Sequence, residues 1–312
     1  MQRLTQVYRV GRLLVVLGMA MFVLPNGLLP WPRPRPKPVA LAPELETDVG
    51  DATKEQMTPA GTPAPTPVSQ QPLPKGECPA DMVYVNGEYC PGLAHNCKRY
   101  LDEKKDRCGD FHETSRCLGP SVKHEYCIDT YEYPNRRGEK PLLAVDWDTA
   151  RKLCEQADKR LCTADEWTLA CEGHGRLPYP YGYARDKEAC NIDKPYILPN
   201  DLAYADPKKR AAEVDRLDQS EPSGDRASCV SPFGVFDMTG NVDEWVEYER
   251  GTFAQPPYRS GLKGGYWGPV RNRCRPITAT HNRWHSGYQI GLRCCRDPDV
   301  LPPKEALAAS AR

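Results

Sequence analysis

The chain has 312 residues, with 42 Lys+Arg balanced by 42 Asp+Glu and 14 cysteines. A formal net charge of +0 excludes the basic surplus of a nucleic-acid footprint, so nucleic acid is not an expected partner. The cysteine count is high and even, and no CxxC pair occurs; this fits disulfides in an oxidising compartment better than metal sites in a reducing one.

In chain order, residues 1–30 read as an export segment. Arg3, Arg9 and Arg12 precede the apolar run LLVVLGMAMFVL (13–24), which suits a signal-peptide core. It is shorter than the roughly 20 residues that span a bilayer comfortably. No small-x-small site follows at the usual distance, so cleaved signal and uncleaved membrane anchor both stay open. Either way the expected location is extracytoplasmic, as a periplasmic domain held at the inner membrane or as a secreted one. Residues 31–76, with WPRPRPKP and TPAGTPAPTPVSQQPLPKG, read as an extended Pro-rich linker. The folded domain is expected over 77–297 and a loose tail over 298–312.

Within the domain, DMVYV (81–85) alternates as a strand, and 91–126, carrying Cys97, Cys108 and Cys117, reads as a cysteine-clamped loop insertion. DWDTARKLCEQADKR (146–160) predicts a helix with Asp146 as N-cap and Ala150, Leu153, Cys154 and Ala157 on one apolar face. TADEWTLACEG (163–173) predicts a second helix, opened by a Thr163/Glu166 capping box, closed at Gly173 and burying Trp167, Ala170 and Cys171. Turns rich in Gly, Pro, Asp and Asn follow as far as GLRCC (291–295). Two helices and short strands under long loops predict an α+β fold with little regular secondary structure. A fold of this kind needs disulfides or ions as staples.

Three stretches, KRLCTADEWTLACEG (159–173), FGVFDMTGNVDEWV (233–246) and IGLRCC (290–295), resemble in order and spacing the signature of the formylglycine-generating enzyme (sulfatase-modifying factor) superfamily. The resemblance covers roughly residues 80–297 and implies a variant C-type-lectin-like fold. Members include copper oxidases that convert a sulfatase cysteine to formylglycine, and proteins that share only the domain. The oxidases hold Cu(I) with two cysteines in the loop after a GG turn, a site two soft thiolates suit. Here the loop Gly265–Cys274 has no cysteine before Cys274. The alignment places Cys274 among the family's disulfide cysteines, with Cys171 as its implied partner, and pairs Cys154 with Cys294. Copper or iron is therefore not expected.

The resemblance also implies structural calcium, a hard cation that takes carboxylate and carbonyl oxygens. One ligand set carries over onto Asp237, Gly240, Val242 and Glu244. A second begins at Asn191 and Ile192 and falls by spacing onto Asp215 and Leu217, in a segment (196–220) that departs from the family in length and composition. A groove for ligand is expected from Tyr266, Trp267 and Trp284 with Arg271, Arg273 and Arg275. His281 and His285, four apart, read either as a metal pair or as a ligand-contacting loop. The expected function is binding or scaffolding, with a peptide, protein or glycan in the groove and a membrane contact through the N-terminal segment. The alternative is a metal-dependent oxidase of the same superfamily, including formylglycine generation on sulfatases.

Overall fold

Two indoles tie the centre of the domain together. Trp147 Nε1–H donates to the Val246 carbonyl at 3.2 Å, and Trp245 Nε1–H donates to the Val145 carbonyl at 2.9 Å. Both rings are almost wholly buried, and such polar handles need a partner once the ring is in the core. The computed structural model describes residues 78–248 and 260–299. The export segment, the Pro-rich linker and most of the expected tail lie outside them. Among the described residues no helix is long and apolar enough to cross a membrane.

The elements are strands β1 (Met82–Tyr89), β2 (Leu93–Asp102), β3 (Arg107–Cys117) and β4 (Val122–Asp129), helix α1 (Trp147–Gln156), strand β5 (Arg160–Leu161), helices α2 (Ala164–Glu172), α3 (Asp201–Ala205) and α4 (Arg210–Leu217), and strands β6 (Asp243–Glu247), β7 (Ser260–Lys263), β8 (Ile277–Thr278), β9 (Ile290–Leu292) and β10 (Cys294–Arg296). One sheet has the order β1-β4-β10-β5 and another β8-β7-β6-β9, while β2 and β3 form a separate hairpin. The α+β class and its loop-rich character agree with the sequence reading.

Both predicted helices form. Asp146 Oδ1 accepts from the Thr149 N–H at 2.7 Å, and the Thr163/Glu166 capping box is complete. Each cap satisfies backbone donors the first turn leaves orphaned. The first helix stops at Gln156 rather than at residue 160, because Asp158 turns to φ +55° and the chain enters β5. Ala157 is its exposed C-cap, not part of the buried face. The segment 91–126 is not a loop. It holds the β2–β3 hairpin and β4, with Cys97–Cys108 joining the hairpin strands and Cys90–Cys117 closing its base. The hairpin ladder is interrupted by four register shifts, so its strands lack the sustained alternation a sequence reading detects. Helices α3 and α4 likewise fall in a stretch expected to be turns.

Seven disulfides use all fourteen cysteines. Cys154 is bonded to Cys294, Cys162 to Cys295 and Cys171 to Cys274, so α1, the residue just after β5, and α2 are all cross-linked to the C-terminal third of the domain. One core cluster gathers Val85, Tyr126, Ile128, Trp167, Met238 and Val246. A second gathers Trp147, Leu161, Trp245, Leu262 and Leu292.

Candidate ligand-binding cleft

Alternation along β6 sends neighbouring side chains to opposite faces, and this divides two acids. Glu244 points into the core. Its Oε2 accepts from Trp167 Nε1–H at 2.6 Å and from Arg293 Nε–H at 2.7 Å, and its Oε1 accepts from Arg293 Nη2 at 2.7 Å. Arg293 is fully buried and also donates to the carbonyls of Phe236 and Asp129. Asp243 lines an open cleft on the other face.

The cleft has a volume of ≈ 320 Å³. Its wall is built by the turn after β7. Gly264 and Gly265 both have positive φ, and a Cβ at Gly265 would lie 2.8 Å from Asn272 Nδ2; only glycine fits such a turn without strain. The Gly265 N–H faces the Asp243 carboxyl. Asn272, buried, then clamps the following loop: its Nδ2 donates to the Tyr266 carbonyl, and its Oδ1 accepts from Arg185 at 2.6 Å. Lys263 anchors the far end, donating to the carbonyls of Cys274 and Arg275 at 2.8 and 3.0 Å. Burial pushes the Lys263 ammonium down to about 7 and the Asp243 carboxyl up to about 7, since desolvation disfavours the charged form of either group.

Of the expected groove residues, the structure brings Tyr266, Arg271 and His281 to the cleft. The others go elsewhere. Trp267 is 1% exposed and belongs to the interior, with its ring against Tyr266 and Tyr288. Arg273 pairs with Asp106 at the tip of the β2–β3 hairpin, at 2.6 Å, and lies over Phe111. Arg275 pairs with buried Glu172 through two bonds of 2.7–2.8 Å and lies over Tyr89. Both arginines hold elements together; alternation puts Arg271, Arg273 and Arg275 on the face opposite buried Asn272 and Cys274, and the distant acids Asp106 and Glu172 decide which of the three are paired. Trp284 is 69% exposed under Arg283.

His281 and His285 stack at 4.0 Å between centroids with planes 8° apart. Lone pairs of near-parallel rings run side by side rather than converge on one ion, so this arrangement does not make a metal-chelating pair. Burial pushes both imidazoles below their usual range. Among the described residues no group of three or more His, Cys, Asp or Glu side chains could hold a metal ion.

The calcium sets divide as well. In the first, Glu244 is already paired with Arg293 and Trp167, and Asp237 Oδ2 accepts from the Gly224 N–H at 2.7 Å. The cation beside Glu244 is the Arg293 guanidinium, and the set does not fit calcium as expected. Val242 is buried. Gly240 is required for a different reason: at φ +84°, a Cβ there would stand 2.4 Å from the Asn191 carbonyl oxygen. In the second set Asp215 is exposed on α4 and Leu217 is buried. The chain that meets Asn191 is Gln219, whose carbonyl accepts from Asn191 Nδ2 at 3.0 Å. The helix displaced the register that spacing alone assigned. Asn191 Oδ1 is buried without a hydrogen-bond partner, while its Nδ2 also donates to Asn241 Oδ1. Ile192 is buried beside it.

The sequence reading missed Asp243, Gln289 and Lys105 as cleft residues, and Arg293 as the partner of Glu244. Arg293 had a signal, being a lone charge in the apolar and cysteine run IGLRCC. Asp243 had one too, as the alternate of Glu244 on a strand. Lys105 arrives on the hairpin and had none.

The sulfatase-modifying factor enzyme 1-like domain matches residues 103–298. The chain belongs to this FGE-sulfatase family. Its relatives include "Inactive C-alpha-formylglycine-generating enzyme 2" of Bos taurus, 27% identical over 164 residues, which are 50% of this chain and 50% of that protein. "Serine/threonine-protein kinase pkn1" of Chlamydia caviae is 28% identical over 175 residues, 50% of this chain and 24% of the kinase. The chain thus spans half or less of the length of these curated relatives. Among solved structures, CarF superposes with a TM-score of 0.47 at 15% identity, covering 71% of this chain and 99% of that one. PvdO from Pseudomonas aeruginosa superposes at 0.45 with 16% identity, covering 69% and 94%. The FGE-sulfatase assignment rests on the domain match.

Proposed function

We propose that this FGE-sulfatase domain is an extracytoplasmic binding or scaffolding module that takes a peptide or glycan ligand in the cleft beside Tyr266, Arg271 and His281, without copper-oxidase chemistry. The observation that carries this reading is the state of the cysteines. All fourteen are in disulfides, and the residue aligned nearest the family's copper loop, Cys274, is bonded to Cys171. A disulfide sulfur is neither a thiolate ligand nor a nucleophile. The similarity to a bovine protein described as inactive points the same way. Seven disulfides fit an oxidising compartment, which supports export; a membrane tether through residues 1–30 belongs to the same proposal.

The test is to pass the full chain over peptide and glycan arrays. Saturable binding to a ligand class, weakened by Tyr266→Ala, is the expected result. Absence of binding to either class, with the fold intact, would count against the module.

Calcium enters the proposal through Asn191 and Ile192, not through Glu244. An unpaired buried acceptor is costly, and a hard cation held by Asn191 Oδ1 and neighbouring carbonyls would satisfy it. A chelator is expected to lower the melting temperature, because a ligand of the native state stabilises it by mass action. Asn191→Ala is expected to abolish most of that sensitivity. Superimposable melting curves in chelator and in calcium would remove calcium from the account.

A further inference from the structure

We infer that the cleft anchors a peptide through a carboxylate, received by the guanidinium of Arg271. This rests on the reading of the cleft as a ligand site and names the chemistry of its ligand. Three arginines alternate along 271–275, and two of them are spoken for by acids, Arg273 by Asp106 and Arg275 by Glu172. Arg271 is the one that lines the cleft, and among the described residues it pairs with no carboxylate. Its hydrogen bond to Thr278 Oγ1 is a long one, 3.3 Å from Nη2. A half-buried guanidinium with its fork open to a cavity is a ready donor site for a planar anion, since Arg and carboxylate match in a bidentate geometry.

The surroundings favour a carboxylate over other partners. Lys105, brought to the rim by the β2–β3 hairpin, adds a second positive charge. The one acid in the lining, Asp243, faces the Gly265 N–H and lies within electrostatic reach of Arg271, but the two form no salt bridge, so the guanidinium fork stays available. Leu262, Pro269, Val270 and Pro276 add an aliphatic stretch of wall beside Tyr266, Thr278 and His281. Aliphatic walls around a cation suit the last residue of a peptide, or an acidic side chain flanked by apolar ones. A sugar ring would call for an aromatic platform, and the cleft offers one tyrosine, Tyr266, held in T-shaped contact with Trp267 and Tyr288. At the cleft's edge Gln289 Oε1 is buried without a donor, and a peptide N–H is a fitting partner once the side chain turns outward.

The experiment uses the full chain, wild type and Arg271→Gln, on an array of random hexapeptides synthesised in three forms. The first has a free C-terminus and no acidic residue, the second an amidated C-terminus with internal Asp or Glu, and the third an amidated C-terminus with no acid. Expected is binding to the first or second form, telling main-chain from side-chain carboxylate, with the third form bound at least about tenfold more weakly. That is the size of one lost charge-assisted hydrogen bond. Arg271→Gln should reduce the retained signal by a similar factor with its melting temperature unchanged, and Arg271→Lys should recover part of it. Equal binding of all three forms, or wild-type affinity in Arg271→Gln, would overturn the carboxylate anchor while leaving the binding module standing. Binding confined to uronic-acid glycans on a parallel glycan array would overturn the peptide. Silence on every array would overturn both readings.

Discussion

Cys274→Ser and Cys171→Ser each destabilise the domain by about 2–5 kcal/mol, the usual cost of losing a native disulfide from a small secreted domain. The double variant is no worse than either single, because each single already lacks the same link. Both residues are fully buried and lie 103 apart in sequence. A loop of that length gives about 4–5 kcal/mol by chain entropy, less any native strain. The bond also joins α2 to the loop that forms the cleft wall, so its loss is expected to loosen the Tyr266–Arg271 segment before it unfolds the core. Denaturant titration of the three variants checks the energies. A Cys274→Ser protein as stable as wild type would show that the link is not a staple.

The second large effect is at Arg293. Replacing it with Met leaves Glu244 buried beside Trp167 without its counter-charge, and removes a donor from the carbonyls of Phe236 and Asp129. Removing one partner of a buried pair typically costs about 3–5 kcal/mol. Glu132 and Asp237 sharpen the effect. Burial and the neighbouring Asp237 and Glu244 charges push the Glu132 carboxyl well up, and burial raises Asp237 to about 6, so Arg293 neutralises a wider acidic neighbourhood. The double variant Arg293→Met/Glu244→Gln is expected to recover part of the loss, since the stranded charge is gone. Melting and urea curves for the single and double variants measure this. No recovery in the double would mean that the carbonyl contacts, not the ion pair, carry the energy.

What was legible in the sequence follows from range. The caps at Asp146 and Thr163 were readable because a cap acts within three residues, and the structure has both. The hairpin at 93–117 was not, because its register shifts break the period that marks a strand. Helices α3 and α4 were missed in a stretch where Pro195, Pro199 and Pro207 signal turns; α3 fits between Pro199 and Pro207, α4 follows Pro207, and both are short. The α+β class was visible from short elements and many cysteines. The cleft was legible only in part. Tyr266, Arg271 and His281 were named from the loop they occupy, but nothing local separates Arg271 from Arg273 and Arg275. Their roles are decided by Asp106 and Glu172, which lie 167 and 103 residues away. The ligand sets around Asp237 and Asn191 show the same limit, since spacing could not foresee that Arg293 would claim Glu244 or that α4 would shift Asp215 outward.

The proposal that most needs testing is that this FGE-sulfatase domain, with all fourteen cysteines in disulfides, binds a ligand and does not oxidise cysteine. The most direct measurement is mass spectrometry of a cysteine-bearing sulfatase peptide after incubation with the full chain, copper and oxygen. The account predicts that the peptide is recovered with its cysteine unconverted to an aldehyde. Appearance of formylglycine, dependent on the protein and lost in Cys274→Ser, would contradict it.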